Sequence, residues 1–252
     1  YNVSRGGYAE IAYDAIWRGV RVVGVDVVPV EYVPGKGTRF AEKMRVKVIH
    51  KGGEGEIYDE RLYHPEFGKL YRAFILNWDR TIPPHCRYYM SNLWDESEGA
   101  ELLVVSFSDF DSVFEEYYDR KILFGMPTRV IYVDSIGDSY YEIKMALQDA
   151  YTRWDIPPVY VLLVGDADGD YTIPVSSTHW SDHDYACLEG SDEFADVFVG
   201  RMSVDNLTQL RTIIRKHLNY EYPQDTSDHW WARFVGVANL YDCHEPYGPD
   251  DS

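Results

Sequence analysis

Apolar positions along the first 95 residues recur mainly with a period of two. Residues 21–28 (RVVGVDVV) are rich in β-branched side chains, and Pro29 and Pro34 close the run. Residues 45–50 (RVKVIH) alternate polar and apolar, the signature of a half-buried strand. Gly35, Gly37, Gly52, Gly53 and Gly55 supply turns, and residues 63–77 predict a short helix. The pattern predicts a small β-rich domain over residues 1–95. Residues 79–100 interrupt it with Pro83-Pro84 and an acidic stretch at 95–99, and they read as a linker.

Past residue 100 the period changes. Residues 101–107 (ELLVVSF) form a near-continuous apolar run, as a strand covered on both faces requires. Ser108 or Asp109 can cap a helix reaching about Phe124, where Gly125 and Pro127 stop it. Residues 128–133 are the next strand. Asp138 or Ser139 then opens a helix that places Ile143, Ala146, Leu147, Ala150, Tyr151 and Trp154 on one face. Residues 159–164 and 196–200 predict two further strands. A helix over 203–222 turns Leu207, Leu210, Ile213, Ile214, His217 and Leu218 inward, and residues 230–238 predict a fifth strand. Strands alternating with helices build right-handed crossovers, so residues 96–252 predict an α/β fold with a mostly parallel sheet and flanking helices.

Charge narrows the possible partners. The 252 residues carry 42 acidic against 24 basic side chains, a formal net charge of -18. A polyanion would be repelled, which argues against nucleic acid and anionic membranes. No apolar run is long enough for a membrane span. The sequence opens at Tyr1 with neither a methionine nor a signal peptide, which reads as a processed or truncated start. Three cysteines (Cys86, Cys187 and Cys243) make neither a disulfide framework nor a zinc pair. Twenty-two tyrosines fit sheets and half-buried surfaces.

In open α/β sheets ligands gather at the carboxyl ends of the strands, and three loops fall there. In Gly165-Asp-Ala-Asp-Gly-Asp170, Asp166, Asp168 and Asp170 alternate around a glycine like the start of a calcium loop, though no glutamate stands at Ser177 to complete it. The competing reading is an acidic turn capping its own amides. In the second loop His179 and His183 lie four apart among carboxylates; without a helical face they read as solvated histidines, and Asp182 and Asp192 as cation ligands or loop caps. The third loop, residues 239–252, crowds Asp242, Glu245, Asp250 and Asp251 around Cys243-His244. Neighbours in sequence seldom reach thiolate–imidazolium geometry, so the carboxylates carry more weight there, suited to orienting a histidine or binding a cationic side chain. There is no GxGxxG or Walker loop and no GxSxG elbow, which disfavours nucleotide binding and serine hydrolysis.

Several weak motifs then agree in order. They are the strand at 102–105, the helix end at 121–125, the helix at 143–151, and Val161-Leu-Leu-Val-Gly-Asp166 followed by Ile173-Pro174. Ser181-Asp182-x-x-Tyr185, Gly190-x-Asp192 and Asp196-Val-Phe-Val-Gly-Arg201-Met-Ser203 come next, then Asn219-Tyr-Glu-Tyr222 and Trp230-Trp231. In this the chain resembles the gingipain family of cysteine peptidases. The resemblance implies a caspase-like fold for residues 96–252, cut off after the first half of the catalytic domain. It also implies that residues 1–95 are a sandwich-like β-rich propeptide covering the active site until proteolysis removes it.

By the same resemblance the protein is a secreted cysteine endopeptidase, extracellular or on the cell surface, acting on polypeptides. The thiolate nucleophile and its histidine base then lie on the missing C-terminal catalytic half. Asp242 stands nearest the family's histidine-supporting acid, Asp250 or Asp251 near the acid that selects a basic substrate side chain, and Asp166, Asp168, Asp170 and Asp182 are candidate ligands for structural calcium. Two alternatives stay open: an inactive extracellular scaffold of the same fold, and a calcium-binding adhesive domain.

Overall fold

A strand in the middle of a parallel sheet needs apolar side chains on both faces, and β5 (Leu102–Ser106) is buried at all five positions. It pairs in parallel with β6 (Thr128–Tyr132) on one side and β7 (Tyr160–Val164) on the other, and β7 pairs with β8 (Phe198–Met202). The computed structural model describes residues 8–49, 59–78, 99–221 and 233–236, and among these the main sheet runs β6-β5-β7-β8. Leu102, Thr128, Tyr160 and Phe198 lie at its amino edge, and Ser106, Tyr132, Val164 and Met202 at its carboxyl edge.

Each crossover is closed by local chemistry. After β5 a 3₁₀ turn (Ser108–Phe110) leads into α1 (Asp111–Leu123), which Gly125 ends at φ 87° while its N–H reaches the Ile122 carbonyl. A short turn α2 (Val133–Ile136) follows β6. Helix α3 (Tyr140–Arg153) starts at a capping box. The Ser139 hydroxyl accepts from Glu142 N–H and the Glu142 carboxylate accepts from Ser139 N–H, so two orphan donors are satisfied at once. Its inner face buries Ile143, Leu147, Ala150 and Tyr151.

Two strand-and-helix bounds differ from the sequence pattern. The fourth strand begins at Phe198 rather than Asp196, because Asp196 is a buried loop anchor and not a ladder residue. The last helix, α5 (Leu207–Glu221), follows a one-turn helix α4 (His183–Ala186) and begins four residues later than the pattern predicts. The Asn206 side chain accepts from Thr208 and Gln209 N–H and sets that start. Leu210 and Ile214 are buried, whereas His217 is exposed and not turned inward.

The β-rich start consists of two antiparallel hairpins and one helix. Strands β1 (Ala9–Trp17) and β2 (Val20–Val27) are joined by Arg18 and Gly19 with φ 43° and 73°, a two-residue turn of the kind that matches strand twist. Strands β3 (Val30–Val33) and β4 (Gly37–Phe40) form the second hairpin. Residues 45–49, predicted as a strand, have no ladder partner among the described residues and are irregular and exposed. Alternation supplies a strand's side-chain pattern, but only a neighbouring strand satisfies its backbone. The helix predicted over 63–77 is present as Pro65–Phe74, capped by His64, whose Nδ1 accepts from Glu66 N–H.

Residues Tyr1–Ile214 form one compact unit. Within it Phe67, Tyr71, Trp78 and Val159 make a hydrophobic cluster joined by Trp17, Tyr160 and Phe198, so the hairpin and the helix at 65–74 pack on the amino-edge side of β7 and β8. Each such side chain contributes roughly 1.5–3 kcal/mol when fully buried. The second unit is Arg215–Ser252, of which the end of α5 and the irregular residues 233–236 are described. The predicted fifth strand falls mostly outside the described residues, and residues 233–236 of it are not in a strand.

Candidate functional site

The carboxyl edge of the sheet collects acidic side chains because each strand there ends in a short polar turn. From the turn after β5, Asp109 accepts from the Tyr171 hydroxyl at 3.0 Å, and Asp111 accepts from the Tyr132 hydroxyl at 2.7 Å. The hydrogen bonds to those carboxylates raise both phenols, Tyr132 to about 12, so neither is a proton donor or base near neutrality. Asp134, after β6, accepts from Ser108 N–H at 2.7 Å. Ser106 Oγ, at the end of the central strand, is buried without a hydrogen-bond partner, an orphan polar atom facing this edge of the fold.

The loop after β7 is an acidic turn held by its own backbone. Asp166 N–H donates to Tyr171 O, and Ile173 N–H returns to Asp166 O. Gly165 sits where a Cβ would lie 2.6 Å from the Tyr171 carbonyl, so any side chain there would force the loop backbone to shift. Asp166 Oδ1 accepts from Ala167 N–H at 2.8 Å and from Ser203 Oγ at 2.9 Å; the turn thus caps an amide and ties to the end of β8. Asp168 and Asp170 are exposed. Asp182 is turned to Arg201, whose Nε and Nη2 reach its two oxygens at 2.9 and 2.7 Å while Nη1 donates to Gly165 O.

Asp182 is thus engaged by Arg201, while Asp166 is bonded to Ala167 N–H and Ser203. A guanidinium stands where Asp182 would meet the loop, and among the described residues no three His, Cys, Asp or Glu side chains are grouped to hold a metal.

The second loop has a more definite geometry than its sequence suggests. His179 Nδ1 lies 2.7 Å from Asp184 Oδ1, and that hydrogen bond raises the imidazole above its ordinary value. Burial works against the Asp184 carboxylate, but hydrogen bonds from Ser176 and His179 prevail and lower it. His183 Nε2 lies 2.8 Å from Glu193 O and 3.5 Å from Cys187 Sγ. Cys187 is not an activated thiol: burial pushes it up to about 11, and the nearby Lys144 only partly offsets this. Lys144, on α3, donates to the carbonyls of Asp184 and Cys187 and fixes α4 against the helix layer. Asp192 caps its loop by accepting from Phe194 N–H, and it also accepts from Ile16 N–H of β1.

Asp242, Asp250 and Asp251, with Cys243 and His244, lie outside the described residues. The sequence pattern missed Asp196 and Glu189, whose carboxylates together receive five hydrogen bonds at the opposite, amino edge. The one hint was the string Asp196-Val-Phe-Val, where an acid precedes an apolar run.

Gingipain R2 of Porphyromonas gingivalis strain W83 is 25% identical over 240 residues, covering 93% of this chain and 31% of the relative. Gingipain R1 of the same species is 24% identical over 230 residues, covering 89% and 22%. The chain thus spans less than a third of the curated relatives it matches. Among solved structures, a complex of the pro- and mature domains of P. gingivalis RgpB shares 28% identity at a TM-score of 0.48, over 52% of this chain and 31% of that one. The Arg-specific cysteine proteinase gingipain R shares 26% at 0.47, over 56% and 32%. The sequence profile of peptidase family C25 matches residues 95–250, more than half of the chain, and the chain belongs to that family of gingipain-like cysteine peptidases.

Proposed function

We propose that this chain supplies the prodomain (residues 1–95) and the first half of the catalytic domain (residues 96–252) of a secreted cysteine endopeptidase. The family match over residues 95–250 carries the reading. In the whole protein a thiolate attacks the scissile carbonyl, and a histidine takes the thiol proton and passes it to the leaving amine. Both groups belong to the remainder of the catalytic domain. Cys187 does not compete for the role, since burial keeps it a neutral thiol.

The role of the described half is that of scaffold and wall. Asp109, Asp111, Asp134, Asp166, Asp168 and Asp170 place negative charge along the carboxyl edge, which concentrates cationic peptides there. Asp242 is the proposed support for the histidine, and Asp250 and Asp251 the proposed partners of a basic substrate side chain.

The test is labelling of the full gene product with a thiol-reactive peptide analogue ending in arginine or lysine. One adduct on a cysteine beyond residue 252, with Cys187 unmodified, is the expected result. A folded protein that takes no label would replace this reading with the inactive scaffold of the same fold.

A further inference from the structure

Arg18 has three properties that do not belong together in an ordinary hairpin turn. It sits at the first position of a two-residue turn with φ 43°, a left-handed conformation that is unfavourable for a non-glycine residue and that turns usually give to asparagine or glycine. It is charged, yet its residue is 1% exposed. It is also fully engaged with chain far away in sequence. Nε donates to Leu62 O at 2.7 Å, and Nη1 donates to Pro158 O at 3.0 Å and Asp196 O at 2.5 Å. The guanidinium lies over the Phe67 ring at 4.8 Å and the Tyr151 ring at 5.5 Å.

The turn backbone is received as closely as the side chain. Arg18 N–H donates to Asp196 Oδ1 at 2.7 Å, and Gly19 N–H donates to Glu189 Oε2 at 2.8 Å. Trp17 Nε1 donates to Ala195 O, Ile16 N–H to Asp192, and the Tyr71 hydroxyl to the carbonyls of Trp17 and Arg18. Asp196 is itself fixed by Leu188 and Glu189 N–H, and Glu189 by the Tyr151 hydroxyl. Carbonyls, two carboxylates and aromatic faces are thus aimed at one planar cation and the turn that carries it. Without that cation Leu62 O, Pro158 O and Asp196 O lose a donor in a buried place, and such groups are costly to leave unpaired.

We infer that this recess is a socket for an arginine presented on a tight β-turn, and that through it residues 8–40 clamp the amino edge of the sheet and stay bound after the chain is cut. The site is assembled from Pro158, before β7, and Asp196, before β8, so it lies at the edge opposite Asp166 and Ser203. The hairpin is therefore a clamp on the far side of the sheet and does not cover the edge where the proposed chemistry gathers. The inference is independent of the peptidase reading, because it concerns only how one part of the chain holds another.

The chain offers its own test. Residues 42–49 are irregular, and Lys43, Arg45 and Lys47 are exposed, so brief trypsin treatment should nick the chain there. Native gel filtration of the nicked full chain is expected to keep the hairpin peptide with the remainder, and Arg18→Ala to raise its free fraction more than about tenfold. Ethylguanidinium, which replaces the deleted atoms, should raise the Tm of Arg18→Ala and restore retention, whereas ethylammonium should not. If Arg18→Ala does not fold even with ethylguanidinium, Arg18→Lys is used instead; a point charge cannot span three carbonyls, and release of the peptide is again expected. Loss of the hairpin from the nicked wild type, its retention in Arg18→Lys, or equal rescue by both additives would overturn the inference.

Discussion

Arg201 and Asp182 form a two-point ion pair, Nε and Nη2 to the two carboxylate oxygens, while the third guanidinium nitrogen holds Gly165 O at the start of the acidic loop. The Arg201 side chain is 10% exposed and that of Asp182 25%. One cation thus ties the ends of two neighbouring strands to the 176–187 segment.

Removing the acid leaves that cation largely buried with a single carbonyl. Asp182→Ala is expected to lose about 2–3 kcal/mol, somewhat less than for a fully buried pair. Urea denaturation checks it, and Asp182→Asn should recover part of the loss. Because Asp182 is committed to Arg201, Asp182→Asn should leave any calcium-induced change in Tm the same as in the wild type.

Gly165→Ala tests the close approach in the same loop. Its Cβ would lie 2.6 Å from the Tyr171 carbonyl and 3.1 Å from the Phe107 ring. Backbone cannot yield as a flexible side chain does, so a cost of about 1–3 kcal/mol is expected from thermal unfolding.

His179 titrates above an ordinary histidine because Asp184 holds its charged form. With its folded value raised, it stabilises the fold fully below the unfolded value, and the contribution fades as pH rises through the folded value. Asp184, lowered, contributes above its unfolded value and loses that contribution as pH falls through its folded one. In Asp184→Asn the NMR titration midpoint of His179 should fall toward the usual histidine value. An unchanged midpoint would mean that the 2.7 Å contact does not persist in solution.

Asp196 behaves in the opposite sense. Burial pushes it up to about 6, against the three backbone N–H groups that favour its charged form. Its contribution to stability is therefore greatest below the unfolded carboxyl value and diminishes as pH rises to about 6. Asp196→Asn should be less stable than wild type throughout, since an amide N–H₂ would face a backbone donor. The gap between the two should narrow from pH 4 toward pH 6 and above, read from urea midpoints at each pH.

Much of the fold was legible because its causes are local. The buried run at 102–106, the Ser139–Glu142 capping box and the helix face of Ile143, Leu147, Ala150 and Tyr151 all follow from periodicity and from neighbours three or four residues apart. Strands alternating with helices then leave few topologies other than a parallel sheet, and the acidic character of its carboxyl edge is a matter of composition. The alternation at 45–49 misled for the complementary reason: it is local, but a ladder needs a partner, and among the described residues there is none.

What the tertiary structure alone decided is which distant groups meet. Nothing within a few residues of Arg18 announces that its turn will be met by Asp196, 178 positions later, or that Leu62 and Pro158 will turn their carbonyls to the same guanidinium. Nor does the spacing of Asp166, Asp168 and Asp170 reveal that Asp182 is drawn away to Arg201. Sequence periodicity records the preference of each segment for its own conformation and for some buried face. The choice of partner across that face arises when the chain closes on itself, and there burial makes an unpaired charge too costly to leave alone.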